Sequence, residues 1–139
     1  MPTTFQPYLF FSGDCRQAFT RYHEIFGGDL SIMSNADAPE ADRMPGAADD
    51  AVMHAAIVVP GGGVLMGSDD PTGDGGPKTG VAVSVSFDDV DDAKKAFEAL
   101  ADGGRVDMPL EPTFFAPLFG SLVDRWGVSW LVGGGEMSG

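Results

Sequence analysis

One segment of the chain, VMHAAIVVPGGGVLMGSDD at 52–70, combines residue types that acid–base or metal chemistry needs. It places His54, one of two histidines, inside an apolar run that ends in Asp69 and Asp70. An imidazole beside a carboxylate can bind a metal ion, act as a general base or orient a ligand. It can also simply hydrogen-bond within a strand, so the role of His54 depends on the elements that position it.

Composition and charge exclude several classes of function. The chain has 139 residues, the length of one domain, and its single cysteine, Cys15, rules out an intramolecular disulfide and a four-cysteine zinc site. The net charge of −13 repels phosphate backbones and anionic lipids, so neither nucleic acid nor a membrane is an expected partner. The first residues lack the pattern of an export signal, and no apolar run approaches the ~20 residues that span a bilayer. We therefore expect a cytoplasmic protein in a reducing compartment.

The first half of the chain has the pattern of one helix among four strands. Asp14 and Gln17 have the form of a capping box, and the apolar residues that follow recur every three or four positions up to the glycines at 27–28. Pro60 and the glycines at 61–63 join two apolar runs as a hairpin and do not open a helix, so they are not expected to cradle a phosphate. The expected strands cover 8–12, 29–35, 52–59 and 64–68.

The second half of the chain repeats the first. A shift of about 75 residues superposes the two expected helices and lays Asp14 on Asp89, and a shift of about 64 superposes the hairpins. Each half is therefore a βαβββ unit, and the chain is predicted to have an α+β fold. The expected parts of this single domain, residues 1–139, are module one at 1–70, a linker at 71–80 and module two at 81–139.

Four ordered motifs resemble those of a known family. The segments are PYLFFSGDCRQAFTRYHEIFGG, MHAAIVVPGGGVLMGSDD, VSVSFDDVDDAKKAFEALADGG and FGSLVDRWGVSW. Together they resemble the PhnB-like branch of the glyoxalase, bleomycin-resistance and extradiol dioxygenase proteins, the vicinal oxygen chelate superfamily. The resemblance implies that the two tandem modules form a curved, eight-stranded cup with the helices outside, and that the protein is a homodimer.

The resemblance also implies where a metal ion would be held. Glyoxalase-type members bind a divalent ion in the cup through one side chain from the first strand and one from the last strand of each module. The motifs align these four positions with Pro7, Gly67, Ala82 and Leu131. None of these side chains offers an oxygen or an imidazole nitrogen to a divalent ion, so no metal and no other cofactor is expected.

The register of the expected hairpin decides the position of His54. Pairing Val59 with Val64 sets His54 opposite Asp69, and cross-strand partners share a face of the sheet. Both side chains are then expected to face the cup, whereas a slip of one residue would reverse the face. Beside Asp69, His54 could hydrogen-bond the carboxylate only, contact a ligand or act as a base.

Strand alternation predicts the other side chains that face the cup. Tyr8, Met66 and Trp130 are expected beneath the helices. The cup wall is then mostly apolar with a few hydroxyls, which suits a small organic ligand held by packing and one or two hydrogen bonds. The expected ligand-binding residues are Phe11, His54, Asp69, Ser84, Phe115, Leu118, Ser129 and Leu131.

The expected function is therefore metal-free binding of a small organic ligand within the cup. The sequence leaves two alternatives open. One is a metal-independent isomerase or lyase that uses His54. The other is a divalent-metal lyase or dioxygenase of the same superfamily, whose metal ligands would lie at other positions.

Overall fold

The chain divides into two compact units, Met1–Gly75 and Gly76–Gly139. The computed structural model describes residues 5–43, 46–61, 63–70 and 78–135. Residues 71–77 of the expected linker lie outside these ranges. Within them, both α-helices have 12 residues, and no helix is long and apolar enough to cross a membrane.

The first unit is a four-stranded sheet with an α-helix packed on one face. Its elements are β1 (Tyr8–Phe11), α1 (Cys15–Phe26), β2 (Asp29–Ser34), a 3₁₀ turn (Glu40–Asp42), β3 (Val52–Val58) and β4 (Val64–Asp69). The strand order is β1-β4-β3-β2, in which β1 runs parallel to β4 and the other pairs are antiparallel.

The second unit repeats this arrangement. Its elements are β5 (Val83–Phe87), α2 (Val90–Ala101), β6 (Arg105–Glu111), β7 (Leu118–Val123) and β8 (Ser129–Gly134). The strand order is β5-β8-β7-β6, with β5 parallel to β8 and the other pairs antiparallel. The predicted α+β fold of two βαβββ units is therefore confirmed.

Each helix packs its apolar face against the sheet of its own unit. In α1, Ala18, Phe19 and Tyr22 are fully buried, as the three- and four-residue spacing predicts. The Phe19 ring meets the Phe11 ring edge-on, with 6.1 Å between centroids. In α2, Phe97 lies on the corresponding buried face.

The two helices begin differently. Asp89 accepts hydrogen bonds from two N–H groups in the first turn of α2 and so acts as its N-cap residue. The capping box expected for α1 is wrong, because the Asp14 side chain makes no cap hydrogen bond. The acceptor at α1 comes from β4 instead, where Asp69 Oδ1 lies 3.0 Å from the backbone nitrogen of Cys15.

In the second unit, the even-numbered side chains of β8 lie beneath α2. Trp130 is 1% exposed, and a Cβ built at Gly134 would lie 2.6 Å from the Cβ of Ala93 in α2. Because neighbours along a strand alternate, Leu131 lies on the opposite face, together with its register partner Ser84. The face of each sheet that points away from its own helix is called its helix-free face below.

In the first unit, the faces of β1 and β4 are the reverse of those expected. Phe11 is 3% exposed, and a Cβ built at Gly67 would lie 2.7 Å from the Phe19 ring, so both positions lie beneath α1. The helix-free face carries Tyr8 instead, together with its register partner Met66. The expectation that Phe11 and Gly67 face a ligand cup, with Tyr8 and Met66 beneath the helix, is therefore wrong.

One extra residue between strand and helix explains this reversal. The connection covers residues 12–14 in the first unit and 88–89 in the second. The backbone nitrogen of Asp70, which follows β4, donates to the Phe11 carbonyl, and that of Gly135, which follows β8, donates to the Phe87 carbonyl. Phe11 and Phe87 are therefore equivalent positions. The helices are thus related by a shift of 75 residues but the first strands by a shift of 76. The longer connection contains Gly13, whose φ of 105° favours glycine. A shift of one residue along a strand moves every side chain to the other face.

Candidate functional site

The register of β3 against β4 sets the position of His54. Val58 pairs with Val64 and Ala56 with Met66, one residue away from the expected register. Because Met66 faces away from α1, Ala56 and the alternating residue His54 lie on the same helix-free face. The strand therefore presents the imidazole on the side of the sheet that α1 leaves uncovered.

Asp69 does not lie on the same face of the sheet as His54. Its carboxylate is buried on the α1 side, where it accepts hydrogen bonds from the backbone nitrogens of Gly13, Cys15 and Val52 at 2.9, 3.0 and 2.9 Å. The expected pairing of His54 with Asp69 is wrong, because the register places the two side chains on opposite faces. Asp69 joins the start of α1 to the start of β3.

The partner of His54 is Tyr8 on β1. The Tyr8 hydroxyl lies 3.3 Å from His54 Nδ1, and the two ring centroids are 5.8 Å apart at an interplanar angle of 38°. Sequence reasoning missed Tyr8 because it assumed equal strand-to-helix connections in the two units. The signal that could have found it is Gly13, which makes the first connection one residue longer than the second.

Apolar side chains surround this pair on the helix-free face. The Phe10 ring, 56% exposed, lies 5.2 Å from the Tyr8 ring between centroids. Met33 on β2 is the register partner of His54 and is 46% exposed, and Met66 is the register partner of Tyr8. The face thus combines two aromatic rings, two thioethers and one imidazole, which is a surface suited to an organic molecule.

The second unit has its own group of side chains on its helix-free face. Leu131 and Ser129 alternate along β8, and Ser84 pairs with Leu131 from β5. The register of β7 against β8 adds Phe119, and the Phe115 ring meets the Phe119 ring edge-on with 4.9 Å between centroids. The structure thus groups four of the expected ligand-binding residues with Phe119, which the sequence did not single out.

Leu118 is placed differently from the expectation. A Cβ built at Gly134, beneath α2, would lie 3.6 Å from the Cβ of Leu118 and 2.6 Å from that of Ala93. Leu118 therefore lies on the α2 side of the sheet, and the expectation that it shares a surface with Leu131 is wrong. Its neighbour Phe119 takes that place, because successive side chains of a strand point to opposite faces.

The chain matches a sequence model of a large protein family. Residues 4–132 match the Glyoxalase/Bleomycin resistance protein/Dioxygenase superfamily. The chain belongs to this superfamily. The repeated βαβββ unit and the matched range, which covers most of both units, agree in this assignment.

Relatives within the superfamily are similar along almost their full length. The crystal structure of protein PA1353 from Pseudomonas aeruginosa is 40% identical, covers 96% of this chain and 98% of its own, and has a TM-score of 0.85. Protein YjdN of Escherichia coli is 28% identical over 135 residues, 91% of each chain. A Bacillus cereus structure described as a putative 3-demethylubiquinone-9 3-methyltransferase, PhnB protein, is 25% identical over 95% of this chain and 99% of its own, with a TM-score of 0.75. The chain is therefore a PhnB-like member of the superfamily.

The side chains at the positions where glyoxalase-type members hold a metal do not fit a divalent ion. On the helix-free faces, the first and last strands pair Tyr8 with Met66 and Ser84 with Leu131. Tyr8 and Met66 thus take the face expected of Pro7 and Gly67, and Ser84, two residues after the expected Ala82 on the same face, is the register partner of Leu131. Hydroxyl, thioether and alkyl groups are poor substitutes for the carboxylates and imidazoles that such ions require. Among the described residues, no group of three His, Cys, Asp or Glu could hold a metal ion.

Proposed function

We propose that this chain is a metal-free member of the superfamily that binds a small organic ligand on the helix-free faces of its sheets. The observation that supports this proposal is the pairing of Tyr8 with Met66 and of Ser84 with Leu131 on the first and last strands of the units. These side chains bind organic molecules through packing and single hydrogen bonds, whereas they offer a divalent ion no charged ligand.

The metal-free part of the proposal is tested on untagged protein. Elemental analysis of the purified protein should find less than stoichiometric zinc, nickel, iron and manganese. Added divalent ions should leave the thermal unfolding midpoint unchanged, because only an ion that binds the native state raises it. A stoichiometric ion that EDTA removes with a fall in the midpoint would overturn the proposal.

The ligand-binding part is tested by a thermal-shift screen of aromatic and antibiotic-like compounds, followed by calorimetry on the hits. A compound that binds the native state should raise the unfolding midpoint, and the rise should continue with the logarithm of its concentration above Kd. Substitutions on the helix-free faces, Tyr8→Ala and Leu131→Ala, should weaken binding of the hits, whereas Glu24→Ala on the exposed side of α1 should not. Hits that neither face variant affects would contradict the proposed location.

A metal-independent isomerase or lyase that uses His54 is the second candidate, and it requires the tautomer in which His54 Nδ1–H donates to the Tyr8 hydroxyl and Nε2 can accept a proton. His54 would take a proton from the carbon next to a carbonyl group and return it to the same or a neighbouring carbon. Incubation of the screening hits that contain such a carbon in heavy water should then show deuterium incorporation by NMR. His54→Gln should abolish the exchange, and exchange that survives this substitution would remove His54 from the reaction.

We also propose that the protein is a homodimer, as the resemblance to the family implies. In the described sheets, β1 and β2 are the edge strands of the first unit, and β5 and β6 those of the second. Pairing between copies would cover such edges. Light scattering after size-exclusion chromatography should therefore give twice the chain mass of 14.5 kDa.

A further inference from the structure

We propose that the helix-free face of the first unit binds an uncharged aromatic carbonyl compound, whose oxygen accepts a hydrogen bond from His54 Nε2. This inference rests on the proposed ligand-binding function and names its ligand class. It follows from three features of the face: the direction of the Tyr8–His54 hydrogen bond, the rings beside it, and the charges that the face lacks.

The hydrogen bond between Tyr8 and His54 determines which imidazole nitrogen carries the proton. The Tyr8 hydroxyl lies 3.3 Å from His54 Nδ1. A phenol hydroxyl can donate or accept a hydrogen bond, and the unprotonated nitrogen of an imidazole accepts one. In this proposal the Tyr8 hydroxyl donates to Nδ1, so the imidazole proton of His54 lies on Nε2. The remaining nitrogen is a donor, which selects a ligand atom that accepts.

The side chains around this donor favour a planar ring in the ligand. Phe10 and Tyr8 present two rings with centroids 5.2 Å apart, and Phe10 keeps 56% of its surface exposed. Met33, the register partner of His54, is 46% exposed on the adjacent strand. Aromatic rings and thioethers both gain from contact with an aromatic ring, beyond the area that such contact buries.

The charges on the strands exclude an anionic group in the ligand. The strand positions of this face that the structure describes include no lysine and no arginine, so nothing there can clamp a carboxylate or phosphate. The net charge of −13 adds a general repulsion of anions.

Among the strand positions that the structure describes, no carboxylate lies beside His54 to pair with a cationic group. Asp29, whose carboxylate lies on this face, pairs with Val58 and is four residues along β2 from Met33. At about 3.3 Å per residue this is about 13 Å from the His54 register position, too far for one small ligand to use both. The donor at Nε2 would repel an ammonium group, so an uncharged carbonyl compound is the class that fits.

The test is a series of four probes with one ring system: 2-acetylnaphthalene, 2-ethylnaphthalene, 2-naphthoate and 2-naphthylmethylammonium. Affinities are measured by calorimetry or NMR titration at pH 7.5. We expect the neutral ketone to bind at least about threefold more tightly than the ethyl compound, as one neutral hydrogen bond provides. The two charged probes should bind more weakly than the ketone.

Substitutions of His54 and Tyr8 then test whether these two residues cause the preference for the ketone. His54→Leu should lower the affinity for the ketone by about 3- to 10-fold and leave that for the ethyl compound unchanged. Tyr8→Phe keeps the ring and removes the hydroxyl, so it should lower the affinity for the ketone alone by a smaller factor. The matched control is His23→Leu on α1, which is expected to change neither affinity. Circular dichroism verifies that each variant is folded.

The outcomes separate this inference from the proposed function. Tightest binding of the carboxylate or the ammonium probe, or a ketone affinity that neither variant changes, would overturn the inference and leave the binding function in place. Failure of all four probes to bind would also overturn the inference. The binding part of the proposed function falls if the broad screen finds no ligand.

Discussion

The carboxylate of Asp69 and the backbone nitrogen of Cys15 lie 3.0 Å apart, so strand β4 supplies the hydrogen-bond acceptor at the start of α1. In the second unit, the position on β8 that is equivalent to Asp69 is Gly134, which has no side chain to act as an acceptor. There α2 is capped by Asp89, the residue directly before the helix. The two units thus satisfy the first turn of the helix in different ways. In the first unit, the helix start depends on a strand that follows about 50 residues later in the chain.

Replacement of Asp69 by alanine should destabilise the protein strongly. The carboxylate accepts hydrogen bonds from Gly13, Cys15 and Val52, and removing it leaves three backbone N–H groups without this acceptor. We expect the free energy of unfolding to fall by about 2–4 kcal/mol, measured by urea denaturation. The matched control is Asp14→Ala at the same helix terminus, since the Asp14 side chain makes no cap hydrogen bond. Equal effects of the two substitutions would contradict the role of Asp69.

The face assignment of β4 is tested by a single methyl group at Gly67. A Cβ there would lie 2.7 Å from the Phe19 ring and 2.9 Å from the Leu9 carbonyl oxygen, so Gly67→Ala must displace packed atoms. We expect a loss of about 1–3 kcal/mol in the free energy of unfolding. Gly63→Ala is the control, because its Cβ would meet one side-chain atom, Val59 Cγ2 at 3.1 Å, and no backbone atom of a non-adjacent described residue within 4 Å. If Gly67→Ala were as mild as the control, Gly67 would not lie beneath α1.

In the second unit, Asp124 and Trp130 should be energetically coupled. Asp124 Oδ2 accepts from the Trp130 indole nitrogen at 2.9 Å, and Oδ1 accepts from the backbone nitrogens of Trp126 and Val128 at 2.9 and 3.0 Å. A double-mutant cycle of Asp124→Ala and Trp130→Phe, followed by urea denaturation, should give a coupling energy of about 1.5–3 kcal/mol. Additive effects would show that the buried carboxylate does not stabilise the indole.

The carboxyl group of Asp37, in the turn after β2, should titrate at a pH below its ordinary value. Hydrogen bonds from the backbone N–H of Ser34, then from its hydroxyl, hold the pKa of the Asp37 carboxyl below its ordinary value, and Arg16 adds a smaller attraction. Because the folded pKa is the lower one, this contribution to stability is present above the unfolded pKa and is lost as pH falls through the folded pKa. Ser34→Ala should raise the pKa of Asp37 only part of the way, since the backbone bond remains. NMR titration measures this, with Ser31→Ala as the control that should leave Asp37 unchanged.

The sequence predicted both helices and the succession of helices and strands along the chain, because these depend on residues that are close together in the sequence. The spacing that buries Ala18, Phe19 and Tyr22 is visible in the sequence. The pair Asp88–Asp89 indicates where α2 begins, and the structure shows that Asp89 is the residue that caps it. The faces of β5 and β8 were also accessible, since Leu131 and Trp130 follow from alternation once one residue is placed.

The sequence predicted the correct face for His54 only because two errors cancel. The expected face of β4 was reversed, and the expected pairing across the hairpin was displaced by one residue relative to the observed pair of Val58 with Val64. Each error alone would have moved His54 to the α1 side, and together they leave it on the helix-free face. Its partner could not be found in this way, because the choice between Tyr8 and Asp69 depends on both steps.

The sequence by itself determined the repeated βαβββ unit and the amphipathic helices. Each of these depends on residue type and short-range spacing. Only the tertiary structure decided that Tyr8 lies beside His54 while Asp69 and Phe11 lie beneath α1. The physical reason is that the face of a strand alternates at every residue, so one additional residue in the connection at Gly13 reverses it, and only the packing of α1 on β1 and β4 shows which face is covered.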